Sequence, residues 1–482
     1  MNLAVAPPAS PGRRDERRSG GGYAMVWRWH FYAGLVIAPF LLILAVTGAI
    51  YLFNTEINDA IYPELMFVSP AGETRPASHW VASAEAAFPG SHVTRVNMPG
   101  DAGRSAMLFV TPATGDPRRV FVDPYTASVL GSFVYEYTLV GLADTLHGSL
   151  MLGALGDAIV EMAACWTVIL IITGAYMWWP RGAKKHAGIW YPRLRARGRR
   201  FWRDLHAVTG VYVAVFVLFL VFTGLPWAGI WGGQLLDPAI RSMGLGYSGA
   251  RTPPASAAVA PPSQTAAAQG RASPWALESV APPVSGGHAH HAAARSDDAA
   301  LLAADIGVDR ARGIVAAQDM ARDYWLMLPS GARGVYKAQT YPDRPQGQRT
   351  LYIDRYSGAV LRDVRFAQYG PAGKAIELGI ALHMGNYFGL VNQLVMLATC
   401  LAIVALVASG VVMWWRRRPA GGLGAPPRRA PLRMRYLGAI VVAMIVAFPL
   451  AGASLIAVLI ADRLLQTRRR RRSPATQHVL AD

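Results

Sequence analysis

The sequence predicts a mainly α membrane protein. Its core is four transmembrane helices from two parallel repeats, with a fifth helix added and two small α+β domains outside the bilayer. Three observations predict this. Five stretches are long and apolar enough to span a membrane. Positive charge gathers at the ends of those stretches. Landmarks in one half of the chain recur at the same offsets in the other.

The 482 residues are 53% hydrophobic, with a mean hydropathy of +0.25, more apolar and more clumped than a soluble domain. Spans are expected at about 26–52, 158–179, 208–230, 390–415 and 436–461. About 20 helical residues cross a bilayer core of roughly 30 Å. Only a helix satisfies its own backbone within such a segment. The first span reads as an uncleaved signal anchor, too long for an h-region and with no A-x-A site after it.

The net charge of +18 is uneven. It lies in RRDERR (13–18), in RGAKKH and RLRARGRRFWR between spans two and three, and in RRRP and PPRRAPLRMR between spans four and five. Nucleic-acid binding is one reading of a basic chain. The positive-inside rule fits better, because the charge follows the span ends. The expected division begins with a cytoplasmic tail 1–25, TM1 26–52, a periplasmic domain 54–145, TM2 with its lead-in 146–180 and a cytoplasmic loop 181–203. It continues with TM3 204–231, a second periplasmic domain 232–382, TM4 with its lead-in 383–415, a cytoplasmic loop 416–435, TM5 436–461 and a basic tail 462–482. The fifth span fits poorly, since it would export the arginines at 468–472. The two cysteines, Cys165 and Cys400, fall inside spans and read as buried small hydrophobes.

The repeat is the strongest signal. WRWHFYAG (27–34) and WRDLHAVTG (202–210) open spans one and three. His30 to Gly48 and His206 to Gly224 are both 18 residues. His147 to Gly174 and His383 to Gly410 are both 27, and MWW follows at 177–179 and 413–415. The unit is span, external domain, span, used twice.

Each external segment ends in a strand–turn–strand pattern, RRVFVDPYTASVLGSF (118–133) and RTLYIDRYSGAVLRDV (349–364). Asp123 and Asp354 are expected to hold the turns by Asx bonding. Helical stretches lie upstream at 78–88, with Ser78 as N-cap, and at 309–325. A helix on a small antiparallel sheet follows for each segment. Residues 251–300, rich in Pro, Ala, Gly and Ser, are expected to be a disordered insertion, with HAHH (288–291) as stray histidines or a loose metal site.

The turn hairpins at 121–131 and 352–361, the LH that opens spans two and four, and the TG…MWW endings resemble the PepSY-associated transmembrane proteins. The resemblance covers nearly all of residues 23–418. It implies a bacterial inner-membrane protein with PepSY-like periplasmic domains, often iron-regulated. In some relatives it implies a haem-containing reductase that frees iron from ferric siderophores.

The histidines can be read without the family. A histidine at a membrane interface is often only an anchor. Four in symmetric pairs need a reason. His30 and His206 stand at the cytoplasmic mouths of spans one and three, and His147 and His383 at the external mouths of two and four. Two neutral imidazoles make a six-coordinate haem suited to electron transfer, and bundle cores place such ligands on facing helices. Gly34 and Gly210, each four residues after a histidine, share its helix face and leave room for a porphyrin edge or for close helix packing. Without CxxCH, any haem is non-covalent. The expectation is two haem b groups, His30 with His206 and His147 with His383, forming a two-step wire.

Asp157 and Glu161 could tune that haem, carry protons or mark the interface. Tyr387, Phe388, Trp227 and Trp231 could cradle a substrate or form an aromatic belt. The leading function is electron transfer from a cytoplasmic reductase or quinol to a ferric siderophore or other ferric complex in the periplasm, with lipid as the only other partner and no nucleic acid. A non-enzymatic anchor whose PepSY modules bind or inhibit periplasmic peptidases, or sense a ligand, is the alternative. A repeat-built transporter ranks last, because the repeats are parallel and no charged broken helix lies mid-span.

Overall fold

The computed structural model describes residues 12–180, 187–247, 249, 274–278, 280–285, 305–331, 333–425 and 434–471. In chain order the longer helices are α1 (Gly12–Tyr51), α2 (Ala77–Ala87), α3 (Leu139–Ser149), α4 (Gly153–Trp178) and α5 (Arg199–Gly224). They continue as α6 (Gly307–Ala317), α7 (Pro371–His383), α8 (Leu390–Trp415), α9 (Met434–Ala447) and α10 (Pro449–Arg471). Four segments are long and apolar enough to cross a membrane: Tyr23–Tyr51, Gly153–Trp178, Arg199–Trp227 and Leu390–Trp415. The chain is therefore a multi-pass, mainly helical membrane protein.

The fifth segment departs from the expected single span. It is two shorter apolar helices, Gly438–Ala447 and Pro449–Ala461. Pro449 has no N–H to continue the ladder, which ends the first helix at that point.

The lead-ins of spans two and four are separate helices. After α3 the backbone turns through left-handed residues Leu150, Met151 and Gly153, with φ of 51°, 58° and 56°. After α7 it turns through Gly385 at 81° and Gly389 at 58°. A continuous helix from His147 to Trp179 is thus excluded, and each lead-in histidine stands near the end of its own short helix.

Contacts divide the chain into a helical unit (Met1–Val46, Ala154–Gln234, Thr399–Asp482) and a sheet unit (Thr47–Gly153, Leu235–Ala398). In the sheet unit lie β1 (His92–Met98), β2 (Ala106–Thr111), β3 (Arg118–Val122), β4 (Val129–Phe133), β5 (Tyr324–Met327), β6 (Val335–Thr340), β7 (Arg349–Asp354) and β8 (Val360–Arg365). They form one sheet in the order β4-β3-β2-β1-β5-β6-β7-β8. This corrects the expectation of two small domains. β1 and β5 pair antiparallel, from Arg95 opposite Met327 to Met98 opposite Tyr324. Each would otherwise be an edge strand with an open row of N–H and C=O groups, and joining the two removes both edges.

The core lies between one face of this sheet and helices α2 and α6. Trp80, Val96, Leu108, Ala311, Val315, Leu326 and Leu351 meet there. Trp80, almost wholly buried, also donates its indole N–H to the Pro124 carbonyl at 3.2 Å. The expected Asx turns are present: Asp123 Oδ1 accepts from the Tyr125 N–H at 2.8 Å, and Asp354 Oδ1 from Tyr356 and Ser357 at 2.9 Å each. Ser78 is not the N-cap of α2. Pro76 holds that place, and the Ser78 backbone N–H donates to Asp309. Within the stretch expected to be disordered, Trp275–Glu278 is a short helix whose Trp275, Ala276 and Leu277 are buried. Its apolar residues supply the burial that the surrounding Pro/Ala-rich sequence lacks. The rest of that insertion, 251–273 and 286–300 with HAHH, lies outside the described residues apart from Val280–Ser285.

In the helical unit, Cys165 packs with Leu225, Ala228, Met444, Ala451 and Leu455, in line with its reading as a small hydrophobe. A π-helical segment, Gly229–Leu236, follows α5. Asp157 accepts the Gly229 N–H at 2.9 Å, and Glu161 accepts those of Ile230 and Trp231 at 3.0 and 3.1 Å. These carboxylates satisfy the free donors at a helix start. That is a structural use the sequence did not suggest.

Candidate functional site: two histidine pairs

Each unit holds one pair of histidines. In the helical unit His30 of α1 meets His206 of α5, with ring centres 6.4 Å apart and ring planes at 90°. In the sheet unit His147 of α3 meets His383 of α7, again at 6.4 Å and with planes at 88°. All four rings are half-buried. The structure thus brings together the same partners that the repeat spacing suggested.

The hydrogen bonds fix the tautomers of His30 and His206. His30 Nδ1 is 2.8 Å from Thr173 Oγ1 of α4. The Thr173 hydroxyl gives its own proton to the Ile169 carbonyl at 2.7 Å, so it accepts from the ring. His206 Nδ1 is 3.1 Å from both the Leu406 carbonyl and Ser409 Oγ of α8. A carbonyl only accepts, so this nitrogen carries the proton too. His147 Nδ1 is 3.1 Å from Thr47 Oγ1 of α1. In His30 and His206, with Nδ1–H donated outward, Nε2 keeps its lone pair, the form in which imidazole binds a metal.

The separation suits one metal between two rings. An imidazole nitrogen binds a transition metal at roughly 2 Å and the ring centre lies roughly 1 Å further, so two rings that share one metal can have centres up to roughly 6 Å apart. Among the described residues no group of three or more His, Cys, Asp or Glu side chains could hold a metal ion. Two imidazoles alone suit a metal whose remaining positions are filled by a non-protein macrocycle. The donor set therefore fits a haem.

Local structure positions each ring. Asp204, fully buried two residues before His206, accepts forked hydrogen bonds from Arg193 at 2.6 and 3.0 Å and from Arg203 at 2.8 and 3.2 Å. They fix the first turns of α5. His383 ends α7, whose Leu382 carbonyl accepts from Asn392 Nδ2 at 2.9 Å. Gly385 beside it holds φ of +81°, and an added Cβ would stand 3.0–3.2 Å from Gln393 and Leu52, so only glycine turns the chain there.

The predicted glycines lie elsewhere than against the rings. A Cβ on Gly34 would meet Leu170 at 3.9 Å, and one on Gly210 would meet Leu406 at 3.5 Å, both ordinary contacts. The glycines that face the imidazoles are Gly174, 3.3 Å from His30 Cε1, and Gly410, 3.6 Å from His206 Cε1. The sequence reading used them only as markers of the repeat, and missed the hydroxyls before them. The dipeptides Thr47–Gly48, Thr173–Gly174, Thr223–Gly224 and Ser409–Gly410 recur once per span. A hydroxyl before a glycine, at a fixed offset from a histidine, was the available signal. Replacing Thr173 with Val should remove the closer hydroxyl acceptor of the His30 N–H and leave it only the Leu170 carbonyl. Haem affinity at that pair should then fall by roughly ten- to a hundredfold, measurable as haem lost to an apomyoglobin trap.

The family described as the PepSY-associated TM region matches residues 27–417. Among curated proteins none matches the chain.

Proposed function

The chain belongs to the family of PepSY-associated transmembrane proteins, and we propose that it is a di-haem b electron-transfer protein of a bacterial inner membrane. It takes electrons from a cytoplasmic reductase or from quinol and delivers them to a ferric siderophore or similar ferric complex in the periplasm. The observation that carries this reading is the duplicated pair: two histidine couples, each at 6.4 Å and near a right angle.

When bound, haem supplies a one-electron centre, and the protein supplies its ligation, orientation and surroundings. His30 and His206 would hold one group, and His147 and His383 the other, each through Nε2. Thr173, Leu406 and Ser409 keep the protons of His30 and His206 on Nδ1, and Thr47 holds the His147 ring at Nδ1. Hydrogen bonding there also raises ligand basicity and stabilises oxidised iron. Gly174 and Gly410 leave the rings room.

The test is an absorption spectrum of the protein purified in detergent, oxidised and then dithionite-reduced. A Soret band with b-type α bands, and about two haems per chain by pyridine haemochrome, are expected. A colourless protein after expression with added haem precursor would sink the proposal.

A further inference from the structure

The fifth apolar run is not one spanning helix. Gly438–Ala447 and Pro449–Ala461 are roughly 15 and 20 Å long, each short of a core of roughly 30 Å. One contact shows how they are joined. A Cβ on Gly452 would stand 2.7 Å from the Ile445 backbone nitrogen and 2.8 Å from its Cα. Residues seven apart in an unbroken helix are separated by roughly 10 Å along its axis. The chain therefore doubles back at Phe448, and α10 runs against α9. Met444 before the corner and Ala451 and Leu455 after it are buried in one cluster with Cys165 of α4, and Ile440 and Leu459 pack on that cluster from the two arms.

The corner suits a place inside a membrane, where irregular backbone is tolerated only if protein satisfies it. The Ala447 carbonyl, at the end of α9, accepts the Trp231 indole N–H at 3.0 Å. The Phe448 N–H donates to the Met444 carbonyl at 2.7 Å, and the Phe448 carbonyl accepts from Gly452 at 2.9 Å. Pro449 has no N–H to satisfy. Further along α10, Ser454 Oγ accepts from the Trp166 indole of α4 at 2.8 Å.

The histidine bonds identify the face to which α10 returns. His30, near the start of the first span, meets Thr173 near the end of α4, and His206, near the start of α5, meets Ser409 near the end of α8. The two rings also meet each other. Those four helix ends share a level, so α9, which follows α8, sets out from that face. Trp231, at the corner, follows the opposite end of α5. α10 then carries the chain back with five arginines at 468–472. Arg199, Arg200 and Arg203 open α5 at the same face, and Arg416, Arg417 and Arg418 follow α8 there. The Arg417 guanidinium lies 4.9 Å from the Trp27 ring centre and 5.0 Å from that of Phe31, and its buried Nε has no hydrogen-bond partner. A straight fifth span would instead carry the five arginines across, against the rule that keeps them on one side.

We propose that α9 and α10 form a re-entrant hairpin, and that the arginine run it returns binds the phosphate headgroups of anionic lipids in the leaflet it entered. Arginine holds phosphate through forked, charge-assisted hydrogen bonds. A basic cluster beside a membrane helix is drawn to an anionic surface. Neither statement depends on haem.

The hairpin is tested with single cysteines in the full-length protein, in sealed membrane vesicles of both orientations, using a membrane-impermeant maleimide. The native Cys165 and Cys400 are buried, so the unaltered protein should stay unlabelled. Ser473→Cys should react from the same side as Ala420→Cys, in the loop after α8, and from the side opposite to Thr114→Cys, in the sheet unit. Reaction of Ser473→Cys from the Thr114→Cys side means a single crossing and overturns the inference. For the lipid, an environment-sensitive fluorophore on Ser473→Cys is read in nanodiscs of phosphatidylcholine alone or with about 30% phosphatidylglycerol. Phosphatidylglycerol should shift the emission to the blue, about 0.5 M salt should reverse the shift, and a variant with Gln at all five positions 468–472 should not show it. Emission indifferent to phosphatidylglycerol, or an equal shift in the glutamine variant, overturns the lipid contact. So does the same shift from inorganic phosphate or from an acidic protein in phosphatidylcholine discs, which would assign the run to a soluble partner.

Discussion

Replacing His206 with alanine is expected to halve the bound haem, from about two groups per chain to about one, and to remove one of two reduction midpoints. His206 and His30 form a pair whose 6.4 Å spacing leaves room for one metal, and a single remaining imidazole cannot make the six-coordinate centre. His147 and His383 lie in the sheet unit with their own geometry, so that haem should remain. His383→Ala should remove the complementary half, and the double variant should be colourless. Haem quantitation and potentiometric titration give both readings. Loss of all haem from either single variant would mean one site and would refute the paired arrangement.

Gly174→Leu should cause the same loss as His206→Ala without touching a ligand. Its Cβ alone would come within 3.3 Å of His30 Cε1, tight for a carbon contact, and the rest of the leucine side chain needs the space the ring occupies. The ring must then leave its bond to Thr173. About half the haem should be lost, with the sheet unit still folded by circular dichroism. Gly34→Ala is the contrast. Its Cβ meets Leu170 at 3.9 Å, an ordinary contact, and haem content should stay near that of the unaltered protein. Equal tolerance at both positions would show that the His30 ring is not held where Gly174 meets it.

Much of this was legible in the chain. The four spans follow from apolar length. The partners His30 with His206, and His147 with His383, follow from equal spacing in two halves. The Asx turns at Asp123 and Asp354 follow from local turn chemistry. Other features were not. The roles of Thr173 and Ser409 depend on how one helix is rotated against another, and a hydroxyl inside a span also reads as a back-bonded filler. The single sheet depends on β1 meeting β5, strands some 230 residues apart that carry no mark of each other. The break at Pro449 was visible as a proline, but the apolar run on both sides outweighed it.

By itself the sequence determined four of the membrane helices, though not the split of the fifth apolar run, and the equal spacing of the four histidines, because hydrophobic length and residue spacing are properties of the chain read in one dimension. Only the tertiary structure decided which nitrogen His30 and His206 offer, which glycines face those rings, and that strands from both halves join in one sheet. Those depend on helix rotation and strand register. Both are set by the packing of surfaces distant in sequence, where a one-residue slip would turn each side chain of a strand to the other face.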